Sequence, residues 1–185
     1  MGQVVSFENH TVARLRAAES ARADLIAFAH GHSGAVAAIH EAVLAALDAG
    51  SFEDLLAVVG KEWPAILGVD HVVLALCLGD KGFRVDRTGT QLYARPIINR
   101  ALAQLGDVEL RNVSRGHAIF GADSANVGAE ALVRIDAGAV TGLLALGQRP
   151  TDPLEARHAA DLLLFLGMSL AAMMRRWTTP EPSTS

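Results

Sequence analysis

From Ala159 to Trp177 the chain is apolar on two sides of a helix, and no other stretch constrains the fold as much. Ala159, Leu163, Leu166, Leu170, Met173 and Trp177 recur at intervals of four, three, four, three and four, which makes one continuous helical face. Leu162, Phe165 and Ala172 form a second apolar line beside it. A surface helix of a small domain needs a single apolar stripe. A sheet can cover one side of this helix, so the other side calls for a further helix. The run from Phe7 to Asp48 is the candidate. It is rich in Ala, Leu, Arg and Glu, lacks proline, and carries Val36, Ile39, Val43, Leu44 and Leu47 at helical spacing. Val12, Leu15, Leu25 and Ile26 give a thinner stripe upstream, and Gly31, Ser33 and Gly34 soften the joint between the two. The expectation is a helical bundle on one face of a sheet, shared across a two-fold homodimer through the N-terminal and C-terminal helices. The alternative is that the N-terminal helix folds back on its own domain.

The stretch between these helices supplies the sheet. Ser51 is a good N-cap with Asp54 three positions on, and Phe52, Leu55, Leu56, Val59, Trp63 and Ile66 mark a helix ending near Gly68. Val72, Leu74, Leu76 and Leu78 alternate with His71, Val73, Ala75 and Cys77, so both faces are mostly apolar, as in a central strand. Gly79 to Gly82 is a turn, and Phe83 and Val85 alternate with Arg84 and Asp86 in a half-exposed partner strand. Arg95-Pro96 opens a short helix through Gln104, and Val108 to Val113 reads as a strand. "SRGHAIFGADSAN" is a loop with one helical turn; two strands joined around Ala137-Gly138 come after it. Asp152 caps the last helix, with Pro153 in its first turn. Tight hairpins imply an antiparallel sheet rather than βαβ units. The fold class is therefore α+β: five or six antiparallel strands with helices packed on them. Residues 1–48 read as an N-terminal helical dimerisation segment, 49–177 as the sheet domain, and the polar, proline-rich 178–185 as a disordered tail.

Composition narrows the function. Of 185 residues 51% are hydrophobic, enough for a real core, and the formal net charge of -4 comes with no basic stripe of the kind that neutralises phosphates. No nucleic-acid partner is expected. Cys77 is the single cysteine, so an intrachain disulfide and a four-cysteine zinc site are excluded. The N-terminus lacks the pattern of a secretory signal. Gly2 and Ser6 fit the myristoylation spacing, but no polybasic second signal follows, and chance is the better explanation. The apolar run Leu162 to Leu166 is short of the roughly 20 residues that span a bilayer, so a cytoplasmic protein without membrane attachment is expected. His30, His32 and His40 do not make a metal site, because helical positions two apart point to different sides. No cofactor is implied. No nucleophile, base and orienting group stand together, so the chain is not read as an enzyme. Arg134 and Asp136 share a strand face and are expected to form a surface ion pair; Arg175-Arg176 sit favourably against the last helix's dipole.

Three segments carry a resemblance: "HSGAVAAIHEAVLAALDAGSFEDLLAVV", "RGHAIFGADSANVGAEALVRIDAGAVTGLLALGQRPTD" and the final helix. Across roughly Gly31 to Trp177 the chain resembles the domain-of-unknown-function 484 family, a group with a GAF-like fold. The Phe-Gly of "AIFG" and the "GLLALG" strand are the most telling pieces. The family's small-Ala-Leu-x-Pro-Leu strand is replaced by Ala131-Leu132-Val133-Arg134-Ile135, without the proline, and Leu154 or nothing stands for its phenylalanine near the last helix. The family has no established activity. The resemblance implies a GAF-like sensor or regulatory module, often dimeric through its flanking helices.

It also implies a place for a ligand, between the sheet and the loop before the last hairpin. Arg115, His117, Phe120, Ser124 and Asn126 are the polar and aromatic groups of that loop. An arginine can hold a carboxylate or phosphate in bidentate fashion, and a histidine can donate or accept near neutral pH. The competing reading makes these ordinary loop residues, with Ile119 and Phe120 plugging the core. Under it the chain is a protein-interaction scaffold with a self-filled pocket. Activities known on this fold find no matching residues: disulfide-cycling sulfoxide reduction needs a second cysteine, bilin attachment looks for a Cys-His pair where Cys77 is followed by Leu78, and the cyclic-nucleotide residue set is not visible. Cys77 reads as a buried structural thiol: a reactive thiol needs a nearby cation or helix N-terminus, and the sequence offers locally only His71, six residues back and far along the strand.

Overall fold

The computed structural model describes residues 33–149 and 156–178, together with Arg16, Glu19, Arg22 and Gly31; of 156–158 it describes the backbone alone. The chain divides into two compact units, Met1–Val36 and Ala37–Ser185, and the second holds the sheet. His30, His32, Asp152, Pro153 and the tail beyond Thr178 lie outside the described residues, as do Gly2 and Ser6.

Residues 37–47 form helix α1, and Ile39, Ala42 and Ala46 on its inner face are buried in the core. The part of the expected 1–48 segment beyond Val36 is thus packed into the sheet domain. The Ser51 hydroxyl accepts from the Asp54 N–H at 3.0 Å and starts α2, Phe52–Ala57. The helix then widens into a π-helical segment, Val58–Glu62, before α3, Trp63–Leu67, closes on Gly68 at φ 65°. Trp63 is fully buried, and its indole N–H donates to the Ala42 carbonyl at 3.0 Å, tying α3 to α1.

Six strands follow: β1 His71–Leu78, β2 Lys81–Asp86, β3 Gly89–Tyr93, β4 Val108–Asn112, β5 Ala129–Asp136 and β6 Val140–Gln148. They form one antiparallel sheet in the order β3-β2-β1-β6-β5-β4. Helix α4, Arg95–Gln104, lies between β3 and β4, a 3-10 segment, Ala118–Asn126, between β4 and β5, and α5, Ala156–Thr178, comes last. The α+β class and the antiparallel sheet are those expected, with β3 as an additional edge strand.

The sheet is buried on both faces, which explains its all-apolar central strands. Val72, Leu74 and Leu76 of β1 face one core, shared with Leu163, Leu166, Leu170 and Met173 of α5 and with the buried side of α1 to α3. Val73, Ala75 and Cys77 face the other, under α4 and the 3-10 segment. Of the second apolar line on α5, Leu162 is half-buried while Phe165 and Ala172 are exposed. Arg134 does not pair with Asp136. Its guanidinium donates to the carbonyls of Leu102, Leu105 and Gly106, satisfying the C-terminal end of α4. Asp136 instead accepts from the Gly138 N–H at 3.1 Å in the β5–β6 turn.

Candidate functional site

The loop before β5 is held from below by two charged side chains. Glu130 of β5 is 1% exposed. One carboxylate oxygen accepts from Arg111 Nε at 2.6 Å across the β4–β5 register, the other from the His117 backbone N–H at 2.6 Å. A buried carboxylate is costly unless so paired. Arg84 of β2 reaches the loop from the opposite side. Its Nε donates to the Ile119 carbonyl at 2.8 Å, a terminal nitrogen to the Phe120 carbonyl at 3.2 Å, and the other terminal nitrogen to Asp86. Between them the 3-10 segment turns at Gly121, whose φ of 62° with ψ of -128° is closed to side-chain-bearing residues.

The five loop residues singled out from the sequence do not converge on one space. Arg115 is exposed and donates to the Ser124 hydroxyl at 3.3 Å; Ser124 is buried. The His117 ring caps the 3-10 segment, its Nδ1 accepting from the Ile119 N–H at 3.1 Å. Burial holds His117 below the usual imidazole pKa, outweighing the upward pull of Glu130. Phe120 is fully buried, and Asn126 is exposed at the end of the segment. Ile119 and Phe120 pack with Ile98, Leu132, Leu143 and Ala145, so the layer between loop and sheet is occupied by the chain's own side chains. Gly147 makes room for the ring: a Cβ there would lie 2.9 Å from Phe120 Cε1. Cys77 belongs to the same layer, 3.6 Å from Asn99 Oδ1, and burial pushes its thiol pKa up against the opposing effect of Arg95.

Open space lies beside the loop. A cleft of about 230 Å³ is bounded by the π segment and α3, the start of β1, the end of β2, and Asp123 of the loop. Next to it the helix presses directly on β2 at Gly60, where a Cβ would lie 2.5 Å from the Asp86 carbonyl oxygen. Three of the lining charges, Asp70, Arg84 and Asp86, are already committed. Asp70 accepts two side-chain bonds and a backbone bond from Arg149, which hold its carboxyl below the usual range. Asp86 is raised by burial, but the Thr88 hydrogen bonds and Arg84 outweigh this and lower it. Asp123 makes only long contacts, 3.6 Å to His71 Nδ1 and 3.7 Å to Arg87. The His71 ring stands edge-on to Phe120 with centroids 6.4 Å apart, linking cleft and core. None of these lining residues was singled out from the sequence as a site. They come from separated elements, and only the fold brings them together. Among the described residues no group of three or more His, Cys, Asp or Glu is placed to hold a metal ion, and no helix is long and apolar enough to cross a membrane.

Comparison with known proteins places the fold. No family model matches the chain, and no curated protein matches it. Among solved structures it is similar to a GAF domain from A. aeolicus in an inactive state, with 15% identity and a TM-score of 0.56, covering 78% of this chain and 98% of that one. It is similar to the free methionine-R-sulfoxide reductase of Neisseria meningitidis in complex with its substrate, with 16% identity and a TM-score of 0.55, covering 75% and 87%. A biliverdin-bound protein in its far-red-absorbing dark state gives 14% identity and a TM-score of 0.54, covering 75% and 98%. The fold of this chain is GAF-like.

Proposed function

We propose that this chain is a non-catalytic GAF-like regulatory module that responds to a small molecule, and that it is kin to the domain-of-unknown-function 484 group through its "AIFG" and "GLLALG" segments. The observation that carries the reading is the cleft beside the 3-10 segment, whose wall includes residues of five separate elements. A ligand bridging them would couple the helical layer to the loop. At about 230 Å³ the cleft suits something smaller than the drug-sized ligands that fill roughly 300–1,000 Å³. The working unit in this proposal is a cytoplasmic homodimer. Leu44 of α1 is 62% exposed and Met168 of α5 64%, apolar surface that a second copy would cover.

A second reading has its own support. The packed layer of Ile119 and Phe120 is what a scaffold with a self-filled pocket would have, with partners binding elsewhere. Native mass spectrometry of gently purified protein, against the same sample denatured, separates the two. A dimer carrying a mass that vanishes on denaturation supports the sensor. A dimer with no passenger, and no stabilisation by any metabolite pool, favours the scaffold. A monomer refutes the homodimer.

A further inference from the structure

We propose that the ligand of this cleft is a small anion, a carboxylate or phosphate group held by Lys61 and Arg87, and that it competes with the loop residue Asp123 for Arg87. The proposal rests on reading the cleft as the sensor's ligand site and adds the chemistry of what enters it. Arg84 is committed to two loop carbonyls and Asp86, and Asp86 also accepts from the Thr88 N–H and hydroxyl. Asp70 is saturated by Arg149. Four groups remain with capacity to spare: Lys61, Arg87, His71 and Asp123.

Lys61 has no hydrogen bond or ion pair among the described residues. Among the described residues Arg87 has one ion-pair contact, 3.7 Å from Asp123, and its side chain is 67% exposed, so that pair is weak. Asp123 faces Arg87 and His71 at 3.7 and 3.6 Å, both longer than a charge-assisted hydrogen bond. The uncommitted set therefore holds two permanent cations against one carboxylate. A neutral or cationic guest leaves that excess uncompensated, and an anion neutralises it. The π segment supports the assignment. Such widenings recur at functional sites, and this one carries Lys61 to the cleft while Gly60 seats it on the Asp86 carbonyl. An anion that takes Arg87 leaves Asp123, two residues beyond the Gly121 turn, with the long His71 contact alone, so occupancy is reported to the loop.

The test is a titration of the full chain with inorganic phosphate and, separately, succinate, at fixed ionic strength, followed by amide chemical shifts. The expected result is saturable movement of the signals of Lys61, Arg87 and Asp123 with at least one probe. Which probe binds tells phosphate from carboxylate. A Lys61→Gln/Arg87→Gln double variant should bind about tenfold more weakly or worse, as expected for lost bonds to a charged group. Asp123→Asn should bind about two- to fivefold tighter, because a weak competitor is gone. Arg100→Gln, an exposed arginine on α4 away from the cleft, should behave as wild type. Binding that ignores the double variant, or linear shifts without saturation, overturns the proposal. If neither anion binds while native mass spectrometry finds a neutral or cationic passenger, the anion proposal fails and the sensor reading stands. If neither anion nor passenger is found, both fail.

Discussion

Replacing Phe120 with alanine tests whether the layer under the loop is filled by the chain itself. The ring is 0% exposed and lies against Gly147, where an added Cβ would come within 2.9 Å of it. Truncating a buried phenylalanine costs about 3–5 kcal/mol, part lost transfer energy and part residual cavity. For a unit of this size each kcal/mol lowers Tm by about 2–4 °C, so the loss is roughly 6–20 °C. Both tryptophans, Trp63 and Trp177, belong to the Ala37–Ser185 unit, so their fluorescence in urea reports on it directly. The midpoint should fall with an unchanged slope. The vacated space is apolar, and an apolar cavity stays dry and accepts a small arene. Benzene at tenfold excess over its Kd should restore about 1.4 kcal/mol to the variant and nothing to the wild type. A loss below about 1 kcal/mol, with no response to benzene, would refute the packed layer, because a close-packed interior cannot absorb the loss of a ring.

Three further outcomes are expected from the loop's supports. Arg84→Ala strands the Ile119 and Phe120 carbonyls and should cost about 1–3 kcal/mol, with hydrogen exchange quickening across 118–126 more than in α4. Glu130→Gln keeps the shape but loses the charge assistance to Arg111 and the His117 N–H; a loss of about 1–3 kcal/mol is expected in urea melts, and none would mean the pair is idle. His117 titrates lower folded than unfolded, so the unfolded chain binds more protons as pH falls below about 6.5. Stability should therefore be full above that value and decline below it, and His117→Asn should flatten this limb of the urea midpoint against pH.

Hydrophobic period and capping dictate several elements, and these are legible in the sequence alone. Ser51 at the start of α2, Gly68 at the end of α3, Arg95-Pro96 opening α4 and the β1–β2 and β5–β6 hairpins all lie where local chemistry puts them. Strand β3 is not legible. Its Thr90, Gln91 and Leu92 lie on the sheet edge with no buried face, so nothing writes an apolar alternation into the sequence. The π segment is hidden for a different reason. It accompanies the contact of Gly60 with the Asp86 carbonyl, 26 positions away, and no local pattern encodes that. Arg134 illustrates the limit of strand-face pairing: Asp136 is its neighbour by period, but the buried end of α4 offers three carbonyls to its guanidinium.

The same contrast separates the two candidate sites. Arg115, His117, Phe120, Ser124 and Asn126 are near in sequence, which is why they draw attention, yet the loop uses His117 and Ser124 to hold its own turn and Phe120 to fill the core. A short loop must satisfy its own backbone and cover its own sheet, so polar residues within it are spent locally first. Glu130 carries a readable signal, a lone acid in the apolar run "AEALV", but its partner Arg111 is fixed only by strand register. The cleft is unreadable in the sequence, because Lys61, His71, Arg87 and Asp123 span 62 positions and become neighbours only when helix, sheet and loop close together. Charges with capacity left over are informative because everything around them is matched. In a fold that pairs its buried glutamate twice and caps a helix with an arginine from a nearby strand, a Lys61 without a partner among the described residues and a weakly held Arg87 in the same cleft mark a place for an anion.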